Sequence, residues 1–219
     1  MNEQTMAAAR TKLYSSVISD VLDSFGNMQH AMLPTVRPLD DDSVLFGRAR
    51  TRLYTALYHA DPGDNPYAVE IALIDDLKPG DVVVLACPPS DRICPWGELL
   101  STAARARGAA GCVTDGLVRD IRFIREMRFP VFARGAGPLD SKGRGEMIKM
   151  DVPVECGGAA VSPGDWIFGD IDGVVIVPAD LCERVLDAAL AKVAAENTVR
   201  EELAAGESLA TVFARHGVL

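Results

Sequence analysis

Three short apolar runs, Val82-Val83-Val84-Leu85, Cys112-Val113-Thr114 and Val131-Phe132, constrain this chain more than any other feature. The first is a continuous apolar run bounded by turn residues, as expected of a strand buried on both faces. Helical spacing fills both intervals, from Glu98 to Arg107 and around Asp120 to Met127. Strand, helix, strand, helix, strand is the order of parallel βαβ units, because a parallel pair needs a crossover long enough to hold a helix. The middle of the chain is therefore expected to be α/β.

Around this centre the pattern is less uniform. Val17, Ile18, Val21, Leu22 and Phe25 fall at helical spacing, with Gly26 as a C′ stop. Pro34, Pro38 and Asp40-Asp41-Asp42 break that pattern before short strands at Val44 to Phe46 and Ala49 to Tyr54. A loop from Asp61 to Pro66 leads to a helix over Val69 to Leu77 and then to the turn Pro79-Gly80-Asp81. After Gly135, glycines at 137, 143, 145, 157, 158, 164, 169 and 173 separate short segments that read as β hairpins, among them Trp166-Ile167-Phe168 and Val174-Val175-Ile176-Val177. Pro163-Gly164-Asp165 repeats the earlier turn ahead of an apolar strand, a match too short to mark a domain repeat. Asp180 and Glu183 form a D-x-x-E variant of the capping box before a long helix with Leu181, Val185, Leu186, Ala189, Leu190 and Val193 on one face. With no low-complexity linker, residues 1–219 read as one domain with its core at about 44–178 and a helical extension at about 179–219.

Composition excludes several classes. A hydrophobic content of 48% is ample for a core, and no run approaches the roughly 18 apolar residues that span a bilayer. No apolar signal core follows Met1-Asn2-Glu3-Gln4, so a cytoplasmic chain starting near Met1, with no membrane partner, is expected. Cys87, Cys94, Cys112, Cys156 and Cys182 are odd in number and never paired as C-x-x-C, which suggests reduced, mostly buried thiols. His30, His59 and His216 are too isolated for a histidine-bound zinc. The net charge of −9 argues against nucleic acid as a partner. Against it stand Arg105, Arg107, Arg119, Arg122, Arg125, Arg128 and Arg134, either a local field for a small anion or a solvated helix face with Arg122 and Glu126 paired at i,i+4. Asp170-Ile171-Asp172-Gly173 begins like a calcium loop but lacks its later glycine and glutamate, and reads as a turn between strands. Gly135-Ala136-Gly137 is followed by Pro138, so no helix opens there to receive a dinucleotide phosphate.

The stretch from Trp96 to Asp120 carries the chemistry. Pro95-Trp96-Gly97 is a turn that delivers a helix starting at Glu98, and a helix N-terminus leaves unpaired amides, here those of Leu99 and Leu100, that suit a carboxylate. Gly97 would let such a ligand come close; an ordinary glycine turn is the alternative. Leu99 through Val118 comprise one helix and one strand, so a βαβ unit returns Asp115, Arg119 and Asp120 beside Glu98 in one crevice. Arg119 offers a planar fork for bidentate carboxylate contact, and Asp120 offers hard oxygens for Mg²⁺ or Mn²⁺. On spacing alone, Asp115-Gly116 as a simple turn and Asp120 as a helix-terminal charge are equally good readings.

At these residues the chain resembles the class II 4-hydroxy-4-methyl-2-oxoglutarate aldolases, whose fold is shared with the regulators of ribonuclease activity. The resemblance centres on an acidic residue, twenty intervening positions and Arg-Asp, here Glu98 and Arg119-Asp120, and covers most of the chain. Gly111 to Gly116, Pro153-Val154, Gly157-Gly158, Pro163-Gly164-Asp165 and Asp170 to Val174 are also similar to the family, whereas Glu98 stands where its pattern has aspartate. The resemblance implies an α/β fold of the swivelling β/β/α type, like phosphohistidine domains, with helical additions at both ends. It further implies an enzyme that cleaves a 4-hydroxy-2-oxo acid to pyruvate and a second oxo acid, with oxaloacetate decarboxylation as a related activity. Asp120, with Glu98, would hold Mg²⁺ or Mn²⁺; Arg119 and the Gly97, Leu99 and Leu100 backbone would bind substrate. Glu196 of a neighbouring subunit, with Glu201 and Glu202 as rivals, would complete a catalytic set in a homotrimer or homohexamer. The same fold leaves open a non-catalytic, ribonuclease-regulator-like binding protein.

Overall fold

The computed structural model describes residues 3–59 and 65–217; most of the loop expected from Asp61 lies outside them. Along the chain run α1 (Glu3–Lys12), α2 (Ser15–Ser24), β1 (Arg37–Pro38), β2 (Leu45–Ala56), α3 (Ala68–Asp76), β3 (Asp81–Ala86), α4 (Glu98–Ala106), β4 (Gly111–Val118) and α5 (Ile121–Glu126). Then follow β5 (Val131–Ala136), β6 (Gly145–Met150), β7 (Val154–Cys156), β8 (Ala159–Val161), β9 (Trp166–Asp170), β10 (Gly173–Val177), α6 (Cys182–Ala204) and α7 (Leu209–His216). The three central runs are the parallel strands β3, β4 and β5, with α4 and α5 as their crossovers, as the apolar pattern requires.

The main sheet is ordered β1-β5-β4-β3-β2-β9-β10, with β6 also on β2, and β7 and β8 form a separate hairpin. The sheet nearly closes on itself. The segment entering β1 donates Met32 N–H to Val174 O at 2.9 Å and accepts Ile176 N–H on His30 O at 2.7 Å, while β1 pairs with β5 at the opposite edge. This is the α/β architecture expected, with helices added at both ends.

Strand alternation sorts side chains between layers. Val82 and Val84 point into the interior of the curled sheet with Phe132, Ile167, Val174 and Ile176. Val83 and Leu85 face α3, α4 and α5 through Leu73, Ile74, Ala104 and Ile124. Val175 and Val177 face the opposite way and pack with Ile18, Leu22, Val185 and Leu186 of the terminal helices. Of the α2 face read from the sequence, Val17, Ile18, Val21 and Leu22 are buried, whereas Phe25 is the C-cap and is exposed; Gly26 follows it at φ +80°. The first turn of α2 is held by Asp170, whose carboxylate accepts from the Ser15 amide and the Ser15 hydroxyl, both at 2.7 Å. Asp170 to Gly173 is thus a turn between strands that also anchors a helix.

The two Pro-Gly-Asp turns share one local solution. Asp81 and Asp165 each accept from the amide three residues earlier, Lys78 at 2.9 Å and Ser162 at 2.8 Å, while Gly80 and Gly164 sit at φ +84° and φ +91°. Two expectations are corrected. The strands expected at Val44 to Phe46 and Ala49 to Tyr54 are one strand, β2, because Gly47 stays extended and its missing Cβ makes room for the Gly80 carbonyl. The expected N-cap at Asp180 is displaced: a turn from Pro178 to Leu181 already brings the chain into helical conformation, and Leu181 takes the N-cap of α6 without a side-chain cap bond. The face of α6 is as expected, with Val185, Leu186 and Ala189 buried.

Gly169 faces the sheet interior, where a Cβ would lie 2.9 Å from the fully buried Phe132 ring. Gly169→Ala is expected to lower stability by about 1–3 kcal/mol through overpacking. Phe132→Leu should relieve part of this, so in urea unfolding the double variant should lose less than the sum of the single losses.

Candidate active site

The loop ahead of α4 is tied to the end of β4. The Arg119 amide donates to the Trp96 carbonyl at 3.0 Å, and Trp96 forms a parallel bridge with Val118. Trp96 is buried, and its indole N–H donates to Ser101 Oγ at 2.7 Å; the Ser101 hydroxyl in turn donates to the Gly97 carbonyl at 2.9 Å. This chain fixes the first turn of α4 against Arg119-Asp120. Gly97 is extended, at φ −160°, so backbone freedom does not require a glycine there. Close approach does: a Cβ would fall 2.9 Å from Asp120 Oδ2 and 3.0 Å from Arg119 Cγ. The glycine expected to admit a ligand first admits the two side chains of the motif.

Asp120 occupies the left-handed region at φ 60°, a strained position for an aspartate, and its Oδ2 lies 3.4 Å from the Glu98 amide. Arg119 Nε is 3.6 Å from Asp120 Oδ2, and Arg119 Nη1 is 3.6 Å from Asp140 Oδ1. Both separations exceed a hydrogen bond, so the guanidinium is steered by two carboxylates while its donors stay open to a ligand. Glu98 commits one carboxylate oxygen to Thr102, whose hydroxyl donates to it at 2.7 Å. Gly97 at the α4 N-cap supplies no capping side chain; the Glu98 amide instead donates to Asp120 Oδ2 at 3.4 Å, and Leu99 and Leu100 of the same turn line the cleft.

Together these groups border a cleft of about 330 Å³. Gly97 to Leu100 form one wall and Arg119 with Asp120 the next, while Tyr67, Glu70, Asp140 and Ser141 close the far end. The Tyr67 hydroxyl donates to Asp140 Oδ2 at 2.7 Å. Burial works against ionisation of Asp140, but the Tyr67 hydroxyl, the Lys142 amide and the nearby Arg119 charge outweigh it and hold the carboxyl below its ordinary value.

Glu98, Arg119 and Asp120 are therefore brought together as expected, but Asp115 is not. Its side chain turns away to accept from the Cys87 amide at 2.7 Å and the Gly157 amide at 3.0 Å, in a separate recess containing Arg134, because β4 is irregular between Thr114 and Leu117. The arginine cluster is likewise dispersed. Arg107 pairs with Asp75, Arg122 with Glu126 at 3.0 Å and Arg134 with Asp91 at 2.8 Å, which favours solvated pairs over a common anion field. Within one chain Glu196 lies on α6 against the Tyr14 hydroxyl, away from the cleft-lining residues. Glu202 is engaged by Arg215 and His216, and Glu201 is exposed. All five cysteines are free, and all but Cys87 are buried. No helix among the described residues is long and apolar enough to cross a membrane.

Tyr67, Glu70, Asp140 and Ser141 were not singled out from sequence. They arrive from the start of α3 and from the segment between β5 and β6, where no spacing links them to Glu98 or Arg119. Among the described residues no three His, Cys, Asp or Glu side chains cluster as a ready-made metal cage. The carboxylates Asp120 and Glu98 are hard donors of the kind that suit an ion keeping several of its own waters, as Mg²⁺ and Mn²⁺ do.

The RraA-like family model, described as Aldolase/RraA, matches residues 15–176. The chain belongs to this family. This RraA-like protein is 36% identical over 187 residues, 85% of its length and 82% of the relative's, to a Halalkalibacterium halodurans protein named "Putative 4-hydroxy-4-methyl-2-oxoglutarate aldolase". Among solved structures it is similar to Streptomyces coelicolor RraAS2, described as an unusual member of the RNase ES inhibitor RraA protein family, with a TM-score of 0.82 and 27% identity over 92% of this chain and 98% of that one. An uncharacterized Pseudomonas syringae protein gives a TM-score of 0.84 at 26% identity, covering 97% and 93% of the two chains.

The Tyr67–Asp140–Arg119 arrangement is testable by pH. A carboxyl held below its ordinary value adds stability above its unfolded-state pKa, and that contribution is lost as pH falls through the folded value. An NMR titration should find Asp140 below the usual carboxyl range, and Tyr67→Phe should move it upward.

Proposed function

We propose that this RraA-like protein is a divalent-metal-dependent class II aldolase that cleaves a 4-hydroxy-2-oxo acid to pyruvate and a second oxo acid. Substrates of the kind of 4-hydroxy-4-methyl-2-oxoglutarate or 4-carboxy-4-hydroxy-2-oxoadipate define the class, and oxaloacetate decarboxylation passes through the same pyruvate enolate. The observation that carries the reading is the open guanidinium of Arg119 beside Asp120, facing the uncapped first turn of α4 across the cleft. The aldolase name of the H. halodurans relative supports it.

The roles follow from the side chains. Arg119 presents parallel donors to the oxo acid, and the Leu99 and Leu100 amides take its carboxylate at the positive end of α4. This holds the C3–C4 bond in one orientation before it breaks. Asp120, with Glu98, would hold Mg²⁺ or Mn²⁺, which when bound supplies the positive charge that stabilises the enolate. As the C3–C4 bond breaks, its electron pair passes into the enolate and the 4-hydroxyl gives up its proton, to a cleft water that the Asp120 and Glu98 carboxylates would orient, to form the second carbonyl. Protonation at C3 then yields pyruvate. Arg119 offsets the negative charge spread over the oxo-acid end during cleavage.

Within one chain Glu196 is occupied by Tyr14, so a catalytic role requires assembly; we assign it to a neighbouring subunit in a homotrimer or homohexamer. A second reading, a ribonuclease-regulator-like binding protein without catalysis, draws on the likeness to RraAS2. Pyruvate release separates the two.

With Mg²⁺ or Mn²⁺, the protein should release pyruvate from a 4-hydroxy-2-oxo acid. Arg119→Ala and Asp120→Ala, each folded by circular dichroism, should lower kcat/KM by at least about 10²-fold, as loss of a charge-stabilising group does. Wild-type rates in either variant would refute the assignment. Specific activity should also fall on dilution below the assembly threshold, in parallel with the mass seen by light scattering; full activity in a monomer would remove Glu196 from the mechanism.

A further inference from the structure

Arg119 and Arg134 are about equally exposed, at 34% and 33% of the side chain, yet their surroundings differ sharply. Arg134 gives all three of its nitrogens to acceptors: Nε to the Asp115 carbonyl at 3.1 Å, Nη1 to Asp91 Oδ1 at 2.8 Å and Nη2 to the Ser90 carbonyl at 2.7 Å. The Arg119 fork makes no hydrogen bond to any described residue and has only the carboxylates of Asp120 and Asp140, each at 3.6 Å. Its stem is packed, since a Cβ on Gly97 would lie 3.0 Å from Arg119 Cγ and 3.3 Å from its Nε. A long side chain held in this way is fixed at its base and swings at its tip unless something orients the charge.

Asp140 is placed to do so. Its Oδ2 accepts from the Tyr67 hydroxyl at 2.7 Å, its Oδ1 from the Lys142 amide at 3.3 Å and its carbonyl from Arg144 Nη1 at 3.0 Å. Tyr67 is itself tied down where α3 begins: its amide donates to Asn65 Oδ1 at 3.1 Å and its carbonyl accepts from the Ile71 amide at 2.9 Å. A line of fixed groups thus runs from the start of α3 through Tyr67 and Asp140 to Arg119 along the cleft. At 3.6 Å the carboxylate attracts the guanidinium without hydrogen bonding to it, which restricts the fork and leaves its donors to a ligand. Tyr67 and Asp140 are both half-buried, so the fold itself gains little from their contact.

Resting on the oxo-acid reading above, we infer that Tyr67 and Asp140 are a positioning pair for Arg119. Tyr67 fixes the Asp140 carboxylate, and Asp140 aims the guanidinium at the oxo acid held against the first turn of α4. Neither touches the reacting atoms; both act through Arg119. The arrangement carries a cost that identifies it. Among the described lining residues Arg119 is the only cation, and a fixed negative charge beside it weakens the binding of an anionic substrate in the ground state. An aimed fork, in contrast, meets the charge that develops as the C3–C4 bond breaks. Asp140 therefore lowers affinity and raises rate.

Two near-isosteric variants test this in the assembled protein with Mg²⁺. Asp140→Asn removes the charge, and Tyr67→Phe releases the carboxylate. Each should lower kcat for pyruvate release about tenfold, as misorientation of a substrate-holding group does. In Asp140→Asn the KM for the 4-hydroxy-2-oxo acid should be unchanged or lower, because the anion no longer meets the Asp140 charge; damage to the fold would raise it. A second readout needs no turnover. The Arg119 Nε–H resonance, identified by its loss in Arg119→Lys, should show by ¹⁵N relaxation a rigid side chain in the substrate-free wild type and a mobile one in both variants. A fork equally rigid in both variants, wild-type kcat in both, or a raised KM at unchanged kcat overturns the inference. If one variant fails to fold by circular dichroism, the other decides the outcome. A protein that releases no pyruvate, but whose Arg119 loses its rigidity in the variants, keeps the pair and loses only the aldolase reading. An active enzyme whose fork stays rigid in both loses only the pair.

Discussion

β2 is paired along both edges, and the rest of the molecule hangs on that double commitment. From Arg48 to Leu53 it runs parallel to β3; on its other edge it pairs antiparallel with β9 over Leu45 to Arg48 and with β6 over Arg52 to Ala56. One strand thus joins the βαβ layer to the hairpin half, with a register shift between Leu53 and Tyr54 within its pairing to β6. Asp151, just past β6, accepts from both Arg50 and Arg52 at 3.0 Å and clamps the seam from outside. Arg52 is fully buried, with Nε and Nη2 unpartnered among the described residues, and burial lowers its pKa while Asp151 opposes that. Such a group is retained at an energetic cost, and loss of Asp151 would leave a poorly compensated buried charge.

The seam also places the cleft. Parallel pairing of β2, β3 and β4 sets the strand ends in register, and the Trp96–Val118 bridge extends the pairing by one loop beyond β3. That extension makes Gly97 a packing requirement for Arg119 and Asp120. Tyr54, two residues beyond Arg52 on the same face of β2, reaches Glu70 and fixes the far end. Both ends of the cleft therefore derive their positions from the same strand, which gives the site a rigid floor while its α4 wall stays open to solvent.

Legibility followed the range of the interactions. The βαβ centre was readable because its apolar alternation and helical spacing are local, and Glu98 with Arg119-Asp120 was readable because a single crossover relates them. Asp115 was misplaced since the irregularity in β4 that turns its side chain toward Cys87 and Gly157 leaves no mark in residue order. Tyr67, Glu70, Asp140 and Ser141 were invisible because α3 and the β5–β6 segment meet the motif only through tertiary packing. The two strands expected at Val44 to Phe46 and Ala49 to Tyr54 join through Gly47, whose bare Cα admits the Gly80 carbonyl, a contact set by tertiary packing.

By itself the sequence determined what each segment is able to become: buried parallel strands at Val82 and Cys112, an amphipathic α6, two Pro-Gly-Asp turns, and an Arg-Asp pair one crossover from an uncapped helix start. These depend on periodicity and on backbone chemistry within a few residues. Tertiary structure decided which acidic groups share the cleft, for that is set by strand register and by how the sheet curls back to pair residues 30–32 with β10. Asp115 left the site and Asp140 and Glu70 entered it for the same reason: a side chain's neighbours across a sheet are fixed by which strands pair, and pairing is a property of the whole chain.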